Sequence, residues 1–358
     1  MEDINFEQYL KARATVINAK LEESLKRESS DHYIISLLGR SKYVYDNEAI
    51  TKSILEPAWH LLGLGGKRWR PVLMGLILEA FGKKFEDYIE FCLVPEVVHN
   101  ATLVHDDVED NSLMRRGAPA VHVKYGVDIG VNLGDFLYYF PMVSLIDSNK
   151  LSMEIKNKAT AVYIREMLRV STGQAIDIAW HKHLVDPFKI TEQSYLQMAY
   201  DKTGVLARMA AKMGAIIGGA DDQTVDALGY FGGSIGVAFQ IQDDVLNITK
   251  GHLADTKGGV GEDITEGKIT LMAIHTIRVA NEQDRNRFIE ILKMHTDNQT
   301  LRDEAIAIIE KYDSKNYAIK KACALVEEAW NEAAIHIPQT VAKEYLKGLA
   351  DFMISRSQ

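Results

Sequence analysis

Along most of the chain apolar residues return every three or four positions and strict alternation is rare, which is the 3.6-residue period of an α-helix and not the two-residue period of a strand. Residues 4–26 set the pattern. Phe6, Leu10, Ala14, Ile17 and Leu21 form a stripe with charges between them, predicting an amphipathic helix that packs on the body of the protein or on a second copy. From about Glu96 another helix is predicted, and its positions separate into two stripes. Leu93, Val97, Ala101, Val104 and Val108 make an apolar face; His99, Leu103, Asp106 and Asp110 fall on another, because steps of seven and four stay nearly in phase with the helix. Residues 152–179 predict a further helix, on which Gln174 and Asp177 share a face, and Gln240, Asp243 and Asn247 share a stripe later in the chain. The pattern predicts an all-α protein with one domain over 1–358, residues 1–50 supplying N-terminal packing or dimer helices.

Composition supports this and narrows the partners. Seven prolines and 25 glycines in 358 residues leave long uninterrupted helices, and a 47% hydrophobic content fills a large core. A net charge of −9 argues against nucleic acid, so cations that bind phosphate must be local exceptions. Cys92 and Cys323 lie far apart in apolar helical contexts, which predicts two buried thiols in a reducing compartment. The start, Met1-Glu2-Asp3-Ile4-Asn5, lacks a basic, apolar leader, and no apolar run of roughly 18 residues is apparent, so a cytoplasmic chain without a transmembrane segment is expected.

The candidate chemistry centres on Asp106-Asp107-Val108-Glu109-Asp110. Four carboxylates in five residues repel one another unless a cation sits among them, and a divalent metal is the natural filler. Arg115-Arg116-Gly117 comes next, read as the helix end, where guanidiniums either bind an anion or complement the helix dipole. Upstream, Gly63-Leu64-Gly65-Gly66-Lys67-Arg68-Trp69-Arg70-Pro71 places three cations on a glycine turn just before a proline suited to a first helical position; this is an anion cradle or a turn with solvated charges. His99 lies roughly 10 Å along the helix from Asp106, near enough to line the same cavity. His105, Glu109 and His122 read as structural or solvated. Lys202, in Tyr200-Asp201-Lys202-Thr203-Gly204, either reaches inward or snorkels to water. Gln174 and Asp177 either border a wet centre or bond between helices. A second acidic cluster, Asp243-Asp244-Val245-Leu246-Asn247 after Gln240, repeats the adjacent aspartates, whereas Asp221-Asp222 reads as a cap or a solvated face. Two such clusters suggest facing walls of one metal site.

Together these residues resemble the trans-isoprenyl diphosphate synthase, or polyprenyl synthetase, family. The segment from Asp106 to Gly117 looks like its first aspartate-rich motif and Asp243 to Asn247 like its second. Gly65 to Pro71, Lys202-Thr203, Gln240 and the tail Leu349 to Arg356 match as well. The resemblance implies a bundle of antiparallel helices around a deep central cavity, usually as a homodimer. The implied reaction is head-to-tail condensation of an allylic diphosphate with isopentenyl diphosphate, using about three Mg²⁺ ions per site held by Asp106, Asp110 and Asp243. It also implies roles: Asp107 and Asp244 orient ligands or waters around the metals, and Arg115, Lys202 and Lys268 contact the leaving diphosphate. Lys67, Arg70, His99 and Arg116 would clamp the other diphosphate. Thr203 and Gln240 turn oxygen dipoles toward an allylic cation, and the released diphosphate takes the final proton. Lys257 stands one residue before the position where the family places a loop lysine. Asn247 stands where many members have Asp, and an amide oxygen is a weaker ligand.

In the family, bulky residues one turn before the first aspartate close the cavity at short products. Here Ala101 and Thr102 occupy that turn, so a farnesyl (C15) product is disfavoured. Tyr138, Tyr139 and Phe140 are candidates for a deeper floor, giving C20 or longer. Ala101→Phe is accordingly expected to shorten the product, measured as chain length after incubation with labelled substrates.

Overall fold

Four of the principal helices start where a side chain replaces the missing intrahelical partner. The computed structural model describes residues 6–249 and 260–355. Its principal helices are α1 (Phe6–Ser24), α2 (Trp69–Ala80), α3 (Phe85–Glu109), α4 (Val127–Tyr139), α5 (Met153–His181) and α6 (Glu192–Lys202). They continue with α7 (Gly204–Gly218), α8 (Asp222–Asn247), α9 (Leu271–Val279), α10 (Ser314–Ala334) and α11 (Val341–Ser355). Ser152 caps α5 by accepting from the Ile155 N–H, Asp221 caps α8 through Thr224, and Thr270 caps α9 through Ala273. Thr191 and Ser194 form a reciprocal capping box at the start of α6.

Among the described residues the all-α expectation holds but for one short hairpin, β1 (Met114–Arg115) paired antiparallel with β2 (Ala118–Pro119). Arg116 at φ 53° and Gly117 at φ 78° are its central pair, the left-handed geometry of a type I′ turn. The arginines therefore do not end a helix. α3 stops at Glu109, and the guanidiniums ride on the hairpin with no dipole to complement. α3 also begins at Phe85, well before Glu96: Pro95 removes one donor inside it, but the buried run Phe91 to Val98 carries the helix through. α2 begins two residues before Pro71, so the proline is not its first residue.

A continuous apolar cluster runs from Phe6 to Met353. α1 uses its stripe on its own chain: Phe6 meets Phe352 at 5.6 Å between ring centroids, Tyr9 stacks on Tyr345 at 4.1 Å, and Arg13 bonds Glu79 at 2.5 Å. Cys92 is buried as expected, whereas Cys323 is only half-buried. One stretch, Val127–Asp147, is after all long and apolar enough to cross a membrane by length and composition, because Asp128, Asn132 and Asp135 are diluted by Val, Leu and aromatic residues; 44% of that window is buried within the protein.

Two glycine contacts bring neighbouring helices together backbone to backbone. A Cβ on Gly236 of α8 would stand 2.5 Å from the Gly204 Cα at the head of α7, and one on Gly173 of α5 would stand 2.4 Å from the Lys202 backbone nitrogen. Only hydrogen fits between these backbones. Gly173→Ala is expected to push the end of α6 away from α5 at a cost of about 1–3 kcal/mol, the usual range for overpacking, seen as a lower midpoint in urea unfolding.

Candidate active site

Between α3, α5, α6, α8 and the segment before α9 lies a cavity of about 630 Å³. Its polar end is lined by nine carboxylates (Asp106, Glu109, Asp110, Asp177, Asp243, Asp244, Glu262, Asp263 and Glu266) against four permanent cations, Arg70, Arg115, Lys202 and Lys268. Its apolar lining includes Leu103, Val170, Ile178, Leu206 and Phe239. The stripe of α3 from His99 through Leu103 and Asp106 to Asp110 faces this space along its whole length, as its spacing predicts.

The adjacent aspartates diverge. Asp106 lines the cavity beside Lys202 (3.5 Å), and Gln174 of α5 donates to it at 3.0 Å and to Glu109 at 2.6 Å. Asp107, a helical step of 100° round, is buried and takes the Arg115 guanidinium, Nε at 2.9 Å and Nη2 closer still. The second pair divides too. Asp244 accepts from the buried Tyr195 hydroxyl at 2.9 Å and from Gln240 Nε2 at 2.7 Å, while Gln240 Oε1 accepts from Thr203 at 2.8 Å. Asp243, one position earlier, lines the cavity.

Charge balance decides the protonation states. Burial raises Asp106, but Lys202, Lys268 and Arg115 outweigh it and hold that carboxyl below its ordinary range. Burial and Asp106 push Asp110 up to about 7, and burial and Asp263 push Asp244 up to about 8. Lys202 does not snorkel: it bonds Asp177 at 2.5 Å, and although burial opposes its charge, Asp177 and Asp106 raise its pKa. Burial likewise opposes the Lys268 charge, and Asp263 and Glu266 overcome it.

A second cationic region adjoins the first. Arg116 donates to the Gly65 carbonyl, so the hairpin is stitched to the glycine turn. Arg68, which the sequence reading passed over, is buried at the left-handed start of α2 and bonds Glu96 at 2.6 Å and Asn18 at 2.9 Å. Arg70 is buried with an unbonded Nε, and burial lowers its pKa to about 10, so it stays charged. His99 sits among these guanidiniums; burial, then Arg70 and Arg116, keep its ring neutral.

The remaining candidates fall on both sides of the boundary. Thr102, Tyr138, Thr203 and Gln240 line the cavity. Ala101 does not: it lies fully buried on the Leu93–Val97–Val104 stripe. Successive residues turn 100°, so of the three aromatics only Tyr138 lines the cavity; Tyr139 is 74% exposed, and Phe140 is buried against Phe136. Lys67 is exposed outside the lining, its Nζ 5.8 Å from the Phe352 ring centre. Lys257 lies outside the described residues. Asn247 anchors a loop, its carboxamide oxygen accepting from the Asp263 N–H at 3.2 Å and its carbonyl from the Gly261 N–H at 2.9 Å. His105 and Glu109 line the cavity instead of lying free on the surface. Gln174 and Asp177 border the cavity and also bond across helices, so both alternatives for them hold. Tyr195 and the Glu262–Asp263–Glu266 group line the cavity as well, and the acidic run before Lys268 is their one signal in the sequence.

Among the described residues no three metal-ligating side chains already converge on a point. The donor set nevertheless suits a hard divalent cation: carboxylate oxygens on two walls, and an Asp110 carboxyl raised by burial and by Asp106, which a cation would draw back to its charged form.

Residues 51–309 match the polyprenyl synthetase family model. The chain is 36% identical over 305 residues to a short chain isoprenyl diphosphate synthase of Methanothermobacter thermautotrophicus, covering 85% of this chain and 91% of the relative. It is 30% identical over 354 residues to a geranylfarnesyl diphosphate synthase of Natronomonas pharaonis, covering 92% and 99%. Its fold superposes on a geranylgeranyl pyrophosphate synthetase of Pyrococcus horikoshii Ot3 with a TM-score of 0.82 and 30% identity, covering 98% of each chain. With both aspartate walls and the basic turn around one cavity, the chain belongs to the polyprenyl synthetase family of trans-prenyltransferases.

Proposed function

We propose that this chain joins isopentenyl diphosphate head-to-tail to an allylic diphosphate and releases a trans-polyprenyl diphosphate of C20 or longer. The observation that carries this is an acidic cavity whose wall at His99 and Arg70 adjoins a separate cluster of guanidiniums around that neutral ring. A class I terpene cyclase, which ionises one diphosphate, has no use for the second cluster.

Asp106, Asp110 and Asp243 are the residues that would hold Mg²⁺. When bound, the metal supplies Lewis-acid stabilisation of the leaving diphosphate. Lys202 and Lys268 present ammonium groups to that diphosphate, and Arg115 is aimed there by Asp107. Asp244 and Tyr195 fix Gln240, which in turn takes the Thr203 hydrogen. The free lone pairs of Thr203 and Gln240 are then available to a developing allylic cation. Arg70, Arg116 and His99 hold the diphosphate that stays, with Lys67 at the outer edge and Arg68 bracing the turn. No side chain is needed as the final base, since the released diphosphate can take the proton.

A homodimer belongs to the same proposal, on a different surface from the one expected. α1 is already packed within its own chain, whereas α4 and α5 leave Val127, Val131, Ile164 and Leu168 exposed for a second copy to cover.

Purified protein incubated with isopentenyl diphosphate, Mg²⁺ and each allylic primer separately is expected to give C20 or longer products, and none with chelator. Absence of Mg²⁺-dependent product, or farnesyl diphosphate as the main product, would overturn the proposal. Asp243→Ala is expected to lower kcat on the order of 100-fold or more while leaving the thermal midpoint close to that of the parent. Since Thr102 lines the cavity and Ala101 does not, Thr102→Phe should shorten the main product. Ala101→Phe should instead appear first as lost stability in urea unfolding.

A further inference from the structure

His105 immediately precedes the first aspartate pair, yet its bonds run sideways. Its Nδ1 stands 3.0 Å from the Tyr138 hydroxyl on α4, and its Nε2 stands 3.3 Å from the Val131 carbonyl and 3.4 Å from an Asp135 carboxylate oxygen. Both groups on the Nε2 side only accept hydrogen bonds, so Nε2 carries a proton. In the neutral ring Nδ1 is then an acceptor, and the phenol must donate to it. Burial and nearby carboxylates raise the Tyr138 pKa, so the donor keeps its proton. The imidazole is wedged in place: a Cβ on Gly134 would stand 2.5 Å from His105 Nε2, so α4 meets the ring edge with bare backbone. Tyr138 is held from its other end as well, its carbonyl accepting from the Tyr163 hydroxyl of α5. Both His105 and Tyr138 line the cavity, together with Thr102 and Val170.

We propose that His105 is a positioning residue for product length: its Nδ1 latches the Tyr138 ring to the cavity wall, and the strength of that bond limits how far a growing prenyl chain can press the ring aside. The inference rests on the prenyl-transfer reading above and names a determinant within it. Each added isoprene unit brings more apolar surface that is favourable to bury, so chain growth pushes on whatever wall can yield. A wall residue held by backbone and side chain together yields least. Releasing its phenol leaves the ring in place on average but free to rotate.

The test is product-length analysis of Tyr138→Phe, His105→Phe, the double variant and His105→Asn, with total isopentenyl diphosphate consumption recorded beside it. Tyr138→Phe removes only the hydroxyl, which keeps the test informative if a His105 variant fails to fold. Tyr138→Phe and His105→Phe are each expected to raise the fraction of products longer than the parent's main product roughly fivefold, the factor that one net hydrogen bond is worth. The double variant should match either single one, and His105→Asn, whose carboxamide oxygen can occupy the Nδ1 position, should restore the parent distribution. A purely structural histidine would change consumption or stability and not length. Unchanged distributions in both single variants, or additive effects in the double, would overturn the latch. A parent protein that consumes no isopentenyl diphosphate would overturn the prenyl-transfer reading itself.

Discussion

Nine carboxylates share the polar end of one cavity with four permanent cations, and the rest of the site is arranged around that imbalance. Repulsion among like charges grows as water is excluded, so each acid must find a cation, a proton or a hydrogen bond. Asp106 and Asp177 have Lys202, Asp107 has Arg115, and Asp244 has Tyr195 and Gln240. Asp110 and Asp244 hold on to protons. These states leave the cavity short of positive charge in the region where a metal and a diphosphate would together fill it.

The close packing of the glycine-bearing helices is what puts those charges within reach of one another. Lys202 can bridge Asp177 and Asp106 because Gly173 lets the backbone of α6 touch α5. Gln240 and Thr203 meet across α7 and α8 because Gly204 and Gly236 abut. A lysine on a looser helix would reach water before it reached either aspartate. Packing that looks remote from the chemistry thus governs the electrostatics of the cavity.

Much of this was legible in the chain because helices print their faces in the sequence. The stripe from His99 to Asp110, the cap at Asp221 and the paired aspartates arise from local spacing. The illegible parts depend on partners distant in sequence. Nothing near Arg68 announces Glu96, and nothing near Asp244 announces Tyr195 forty-nine positions earlier. The hairpin at Arg116-Gly117 has one local mark, a glycine at the second position of a two-residue turn, but a cation pair followed by glycine is equally the pattern of a helix end. Ala101 lies on the apolar stripe of its own helix, so helical phase, and not nearness to the aspartates, places it in the core.

Leu103 is the one apolar member of the polar stripe, with His99 and Arg70 to one side of it and Asp106 and Asp110 to the other. The hydrocarbon lining, Val170, Ile178, Leu206 and Phe239, comes from α5, α7 and α8. An amphiphile with a charged head and a hydrocarbon tail is matched only when each part meets its own lining, because the reverse would bury the head without partners and the tail among carboxylates. Thr203 and Gln240 line the same cavity, their hydroxyl and carboxamide oxygens fixed by the hydrogen-bond chain that ends on Asp244. Charge balance and the fit of an amphiphile are thus two results of a single arrangement of α3, α6 and α8.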